Sequence, residues 1–175
     1  VITGNFMADA VKGRDLSAHP PGVQEGIRLH RRIDVFTDQH PLTLAGRERL
    51  RAHCGKYAGV ALDLFYDHCI ALEWHSHSTE PLPRYARRMY TLLQAHAHLM
   101  PARTQAMLPY LVRGDWLSGY ATLQGIGRAL HGLSQRAPMA QGLSGAERVL
   151  AEHLPAYVEE CTSFLRALRI ELHAP

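Results

Sequence analysis

The chain has 175 residues, 46% hydrophobic and 20% charged, with a formal net charge of +3. This is one domain's worth of sequence with enough apolar material for a single core, which excludes a disordered tail. The 24 Leu and 22 Ala set against 8 Val and 6 Ile exclude an all-β fold, and with no run near the ~18 apolar residues of a membrane span and no charged, apolar and small-residue leader, a soluble protein is expected.

The first predicted element is a short helix over Gly4 to Lys12, followed by a polar loop through Gly13, Ser17 and the Pro20-Pro21 pair. Those prolines introduce the next helix, because proline fits a first helical turn whose N–H groups lack partners anyway. From Val23 to Thr37 the apolar residues Val23, Ile27, Ile33 and Phe36 keep a loose helical period until Pro41. A third helix is predicted over Leu44 to His53. Tyr57 to Trp74 is the most apolar stretch and reads as a central helix buried on most sides. After a loop over His75 to Pro83, the segments Arg84 to His98, Ala102 to Val112 and Asp115 to Leu133 each read as amphipathic helices, with Pro101 and Gly114 as punctuation. The last helix is predicted from Gly145 to Leu172, opened by a capping box at Ser144-Gly-Ala-Glu147 and disturbed at Pro155. The sum is one all-α domain over 1–175, with roughly six to eight helices and no strand.

The chemistry concentrates early. Six of seven Asp precede residue 68, and the chain holds 12 His. Three Cys at wide spacing with no CxxC suggest neither a disulfide framework nor a cysteine zinc site, so a reducing cytoplasm is expected. Of the 19 basic residues 17 are Arg, whose planar fork suits phosphate or carboxylate, although base composition alone can also produce that bias.

His30, Asp34 and Asp38 are spaced i, i+4, i+8, and each step of four advances only about 40° around a helix, so all three share one face. Asp63 and Asp67 repeat the spacing inside the apolar central run, where an unpaired carboxylate is costly to bury. Taken singly, His30 with Asp34 also reads as a surface pair, and Asp63 with Asp67 as salt bridges to Arg28 or Arg32. The two ladders together, with Asp9 in addition, point to a metal site. One His among several carboxylates suits manganese, magnesium or iron better than structural zinc. Arg28, Arg31 and Arg32 beside His30 are candidate phosphate contacts. His68 lies about 100° from Asp67, off the shared face, and reads as a supporting or core histidine as readily as a ligand. His75, His77, His96 and His98 are expected to be solvated, and Asp15 to be a turn residue.

The stretches Gly4-Asn-Phe-Met-Ala-Asp9, Gly26-Ile-Arg-Leu-His-Arg-Arg-Ile-Asp-Val-Phe-Thr-Asp38 and Leu62-Asp-Leu-Phe-Tyr-Asp-His68 resemble the signature segments of acyl carrier protein phosphodiesterases. Trp74 and the weaker stretch from Trp116-Leu to Arg136-Ala-Pro138 extend the likeness over most of the chain. The resemblance implies an all-helical fold related to the HD phosphohydrolases, using manganese or another divalent cation such as magnesium or iron(II). It implies hydrolysis of the phosphodiester joining 4′-phosphopantetheine to a serine of holo-acyl carrier protein, a strongly acidic protein partner, with neither nucleic acid nor membrane involved.

The positions matching family motifs are Asp9, His30, Arg31, Arg32, Asp34, Asp38, Asp63, Asp67 and His68. The resemblance makes Asp9 the strongest candidate for catalytic necessity. By chemistry, Asp9, His30, Asp34, Asp63, Asp67 and His68 are the expected metal ligands, Asp38 is a ligand or the group orienting the attacking water, and Arg28, Arg31 and Arg32 contact phosphate or carrier. Two departures stand out. An Asn-x-Leu-Ala-His segment found further upstream in the family is absent from a chain that starts at Val1, and Asp67-His68 reverses the His-Asp order of ordinary HD enzymes. A hydrolase for nucleotides or small phosphoesters, and a non-catalytic helical binding module, are the alternative readings.

Overall fold

The computed structural model describes residues 1–135 and 138–173. Among these residues the chain is α-helical with short 3-10 turns and no strand: α1 (Ile2–Met7), α2 (Pro21–Gln39), α3 (Pro41–Cys54), α4 (Ala58–Leu72), α5 (Leu82–Ala95), α6 (Ala102–Arg113), α7 (Trp116–Gly119), α8 (Leu123–Ser134), α9 (Glu147–Glu152) and α10 (Leu154–His173). Arg136 and Ala137, in the weaker motif stretch, lie outside the described residues, as do Ala174 and Pro175. The all-α expectation holds. Contacts gather the chain into two compact units, Val1–Thr37 with Pro83–Asp115, and Asp38–Leu82 with Trp116–Pro175. No described helix is long and apolar enough to cross a membrane.

In the first unit α1 and α2 cross where glycine removes the side chain from the interface. A Cβ on Gly4 would sit 2.0 Å from the Val23 carbonyl oxygen, and one on Gly26 would sit 1.9 Å from that of Val1. Around this crossing Met7, Ala8, Leu16, Val23 and Ile27 are buried, as are Ala86, Met89, Tyr90 and Leu93 of α5 and Leu108 and Leu111 of α6. The Tyr90 hydroxyl donates to Asp115 Oδ1 at 2.9 Å, tying α5 to the end of α6.

The second unit is built around α4. Leu62, Phe65, Cys69 and Ala61 are at most 2% exposed, and α3 and α10 pack against them. Gly46 of α3 lets the helices close, since a Cβ there would fall 2.8 Å from Glu160 Oε1 and 2.9 Å from a Leu62 methyl. Glu160 is itself buried, and accepts hydrogen bonds from the Tyr66 hydroxyl at 2.7 Å and from the Arg49 guanidinium. Edge-on aromatic contacts between Phe65 and Tyr157, with centroids 5.1 Å apart, and between His40 and Phe164, at 5.3 Å, complete this core.

Ten α-helices among the described residues exceed the six to eight expected, because two predicted helices are each divided. Asp115 to Leu133 breaks at Thr122, which is extended (φ −125°, ψ 143°) and accepts a hydrogen bond from Gly125 N at 3.0 Å to start α8. A short polar side chain that caps a helix also ends the one before it. Gly145 to Leu172 breaks at His153, so that Pro155 falls in the first turn of α10, where it forfeits no donor.

The predicted capping box is absent. Gly145 takes a positive φ of 88°, α9 begins only after Ala146, and Ser144 lies too far back to cap it; its hydroxyl instead lies 3.3 Å from His131 Nδ1. The first predicted helix is also shorter than expected, ending at Met7 and tightening to a 3-10 turn over Ala8–Ala10. Asp15 is the turn residue foreseen, accepting from Ser17 N at 2.9 Å, and those bonds hold its carboxyl below the usual range.

Candidate metal centre

The 3-10 turn after α1 decides where the first carboxylate goes. Met7 and Ala8 are buried and anchor the turn, leaving Asp9 pointing outward with its side chain 86% exposed. The helical period of α2 places His30 and Asp34 on one face, four residues apart. The three side chains meet within the first unit: His30 Nε2 lies 3.1 Å from Asp9 Oδ1 and 3.2 Å from Asp34 Oδ2.

One donor atom from each of Asp9, His30 and Asp34 lies within 4.8 Å of the other two. Donors on a single ion at bond lengths of about 2.1 Å are separated by roughly 3 Å when adjacent and roughly 4 Å when opposite. The grouping is compatible with one divalent cation, with the His30 contacts at 3.1 and 3.2 Å matching adjacent positions. Two oxygens and one imidazole nitrogen form a hard set, and the exposure of both carboxylates leaves the remaining positions open to water or substrate.

The third rung of the ladder goes elsewhere. Asp38 belongs to the second unit and accepts a 2.6 Å hydrogen bond from Arg47 Nη2. Arg47 carries no motif signal in the sequence, so this pairing was not foreseen. The arginines flanking His30 differ in their engagement. Arg28 donates to Gln24 Oε1 at 2.9 Å and Arg31 to the Val11 carbonyl at 2.9 Å, and both Arg28 and Arg32 are exposed at the surface.

Asp63, Asp67 and His68 lie on α4 in the second unit. The apolar run around the two aspartates predicts that they are buried, but both are exposed, because the i, i+4 spacing puts them on the one strip of α4 that faces away from its core. Partial loss of solvation, reinforced by the charge of Asp63, pushes the Asp67 carboxyl up to about 7.

His68 is only 2% exposed, and its Nδ1–H donates to the Tyr120 carbonyl at 2.7 Å. Tyr120 is a second neighbour of this strip, its phenol raised by burial and by the charge of Asp67. No short-range pattern in the sequence links Tyr120 to α4. His75, His77, His96 and His98 are all exposed, as expected.

Comparison with known proteins extends these observations. A family model described as acyl carrier protein phosphodiesterase matches residues 1–168. An acyl carrier protein phosphodiesterase of Photorhabdus laumondii is 33% identical over 153 residues, covering 87% of this chain and 77% of the relative. One of Yersinia pestis is 32% identical over 153 residues, covering 87% and 79%. One of an Enterobacter species is 30% identical over 171 residues, covering 97% and 89%. No solved structure matches the chain.

Proposed function

The chain belongs to the acyl carrier protein phosphodiesterase family, and on that premise we propose that it is a hydrolase that removes 4′-phosphopantetheine from holo-acyl carrier protein in the cytoplasm. Water adds at phosphorus, the bond from phosphorus to the carrier serine oxygen breaks, and that oxygen takes a proton. The products are apo-carrier and free phosphopantetheine.

Asp9, His30 and Asp34 hold a divalent cation, which we propose is manganese. Asp63, Asp67 and His68 are proposed to contribute to the same function as further ligands. Such a cation, when bound, supplies Lewis acidity toward a phosphoryl oxygen and lowers the pKa of water. Asp38, braced by Arg47, is proposed to orient water by accepting one of its protons in a hydrogen bond. Arg28 and Arg32 offer planar donors to the phosphate oxygens. Arg31 presents the nitrogens that the Val11 carbonyl leaves unused. The helical architecture is proposed to be a divergent relative of the HD phosphohydrolases in which Asp67-His68 replaces the usual order.

The observation supporting the metal reading is the meeting of three donor atoms from two segments separated by 21 residues, next to the motifs of the family. The test is intact mass spectrometry of holo-acyl carrier protein incubated with the protein and Mn²⁺. Loss of the phosphopantetheine group is expected. Retention of that group, with manganese verified as bound, refutes the proposal.

A further inference from the structure

From Arg84 to Gly114 the sequence contains five arginines and no Asp or Glu, a formal +5 in a chain whose total is +3. This stretch forms the body of α5 and all of α6, both in the first unit. The helical register concentrates the charge. On α5, Arg84, Arg87 and Arg88 are exposed on the side opposite the buried Ala86, Met89, Tyr90 and Leu93. On α6, Arg103, Tyr110 and Arg113 are exposed opposite Thr104, Leu108 and Leu111.

Arginine and tyrosine are combined on both helices. The Arg88 guanidinium lies 5.2 Å from the Tyr85 ring centroid, and that of Arg113 lies 5.7 Å from Tyr110, a residue left 64% exposed. Stacking on an aromatic ring holds a guanidinium plane in a defined orientation, and a planar fork so held suits bidentate pairing with a carboxylate better than a flexible ammonium does. Tyrosine and arginine are also the residues enriched where protein surfaces bind one another. Lysine, the usual carrier of diffuse surface charge, is absent from the stretch.

We propose that the arginine and tyrosine sides of α5 and α6 are the docking surface for the protein part of the substrate, an acidic protein whose carboxylates pair with the guanidinium groups. The proposal rests on the reading of the chain as an acyl carrier protein phosphodiesterase. It divides recognition in two: the arginines of α2 beside His30 serve the phosphate, and those of α5 and α6 serve the acidic carrier body. Electrostatic pairing of this kind raises the encounter rate and weakens as salt screens it.

The test uses labelled apo-acyl carrier protein for equilibrium binding and holo-acyl carrier protein for turnover. The probes are the parent, R84E/R87E/R88E, R103E/R113E, and R148E on α9 of the second unit, with circular dichroism to verify folding. Should a multiple variant fail to fold, R87E alone is measured, and the same direction is expected. The first two variants are expected to bind apo-carrier roughly ten- to a hundredfold more weakly at low salt, with the gap closing at high salt, while R148E matches the parent. Parent-like carrier affinity in both α5 and α6 variants overturns the proposal, as does tighter binding of a single-stranded oligonucleotide than of carrier. A parent that binds carrier through this face but releases no phosphopantetheine refutes the enzymatic reading instead and leaves the docking surface standing.

Discussion

Replacing Asp34 with Asn separates a metal ligand from a structural partner. Without metal, the contacts of His30 with Asp9 and Asp34 involve carboxylates whose side chains are 86% and 53% exposed. Pairs so accessible to water contribute roughly 0–1 kcal/mol. The variant's Tm without metal is therefore expected within about 4 °C of the parent, since 1 kcal/mol corresponds to about 2–4 °C for a chain of this size. Manganese changes the comparison. At about a hundred times its Kd, a ligand that binds only the folded state stabilises it by about 2.7 kcal/mol. This is a rise of about 5–10 °C in the parent. Asn keeps the shape of Asp34 but presents a neutral oxygen, so most of the rise is expected to vanish in the variant. Thermal unfolding of both proteins, with EDTA and with excess Mn²⁺, reads all four values. An equal manganese-induced rise in parent and variant refutes the assignment of Asp34 as a ligand. A drop well beyond 4 °C in EDTA refutes the argument that the cluster carries little stability of its own.

Three further outcomes follow from particular contacts. Tyr66→Phe deprives buried Glu160 of one of its two described donors, and urea unfolding should show a loss of about 1–3 kcal/mol, the usual cost of leaving a buried acceptor short. Gly26→Ala places a methyl group where the Val1 carbonyl sits, 1.9 Å away, which is expected to push α1 aside at a cost of about 3 kcal/mol; Asp9 then moves from His30, and calorimetry should record weaker Mn²⁺ binding. Asp67 has its carboxyl raised from 3.8 to about 7, so the folded state holds its proton more tightly than the unfolded chain does. The stability from this proton is full below pH 4 and is lost as the pH rises through 7. Asp67→Asn should therefore match the parent near pH 4 and gain stability relative to it above pH 7 in metal-free thermal scans.

Local order is what the sequence makes legible. The 3.6-residue period on α2 pairs His30 with Asp34 whatever the rest of the chain does, and the family motifs add Asp9 to them. The fate of Asp38 is not local: its spacing continues the ladder, but Arg47 on the next helix takes its carboxylate. The same limit applies to Asp63 and Asp67, since an apolar run predicts burial yet cannot say which strip of α4 is left uncovered. Helix breaks were missed where a weak local signal, Thr122 or His153, overruled a strong amphipathic pattern on either side. The Ser144 to Glu147 box matched in residue type and spacing but failed because Gly145 turns the backbone before the helix starts. On α5 and α6 the sequence pattern is read only as amphipathic, and it is the burial of the apolar sides that shows the arginines on the exposed ones.

The bond from Arg31 to the Val11 carbonyl has a consequence for binding entropy. Val11 lies two residues beyond Asp9, so the guanidinium next to His30 in sequence fixes the segment that delivers the remote carboxylate. Ordering a loop residue costs about 1–2 kcal/mol of backbone entropy. With that cost met during folding, little remains when an ion arrives. Arg31 thereby acts as a strut that keeps two distant pieces of chain in register, and its removal would make ion capture less entropically favourable without altering any ligand.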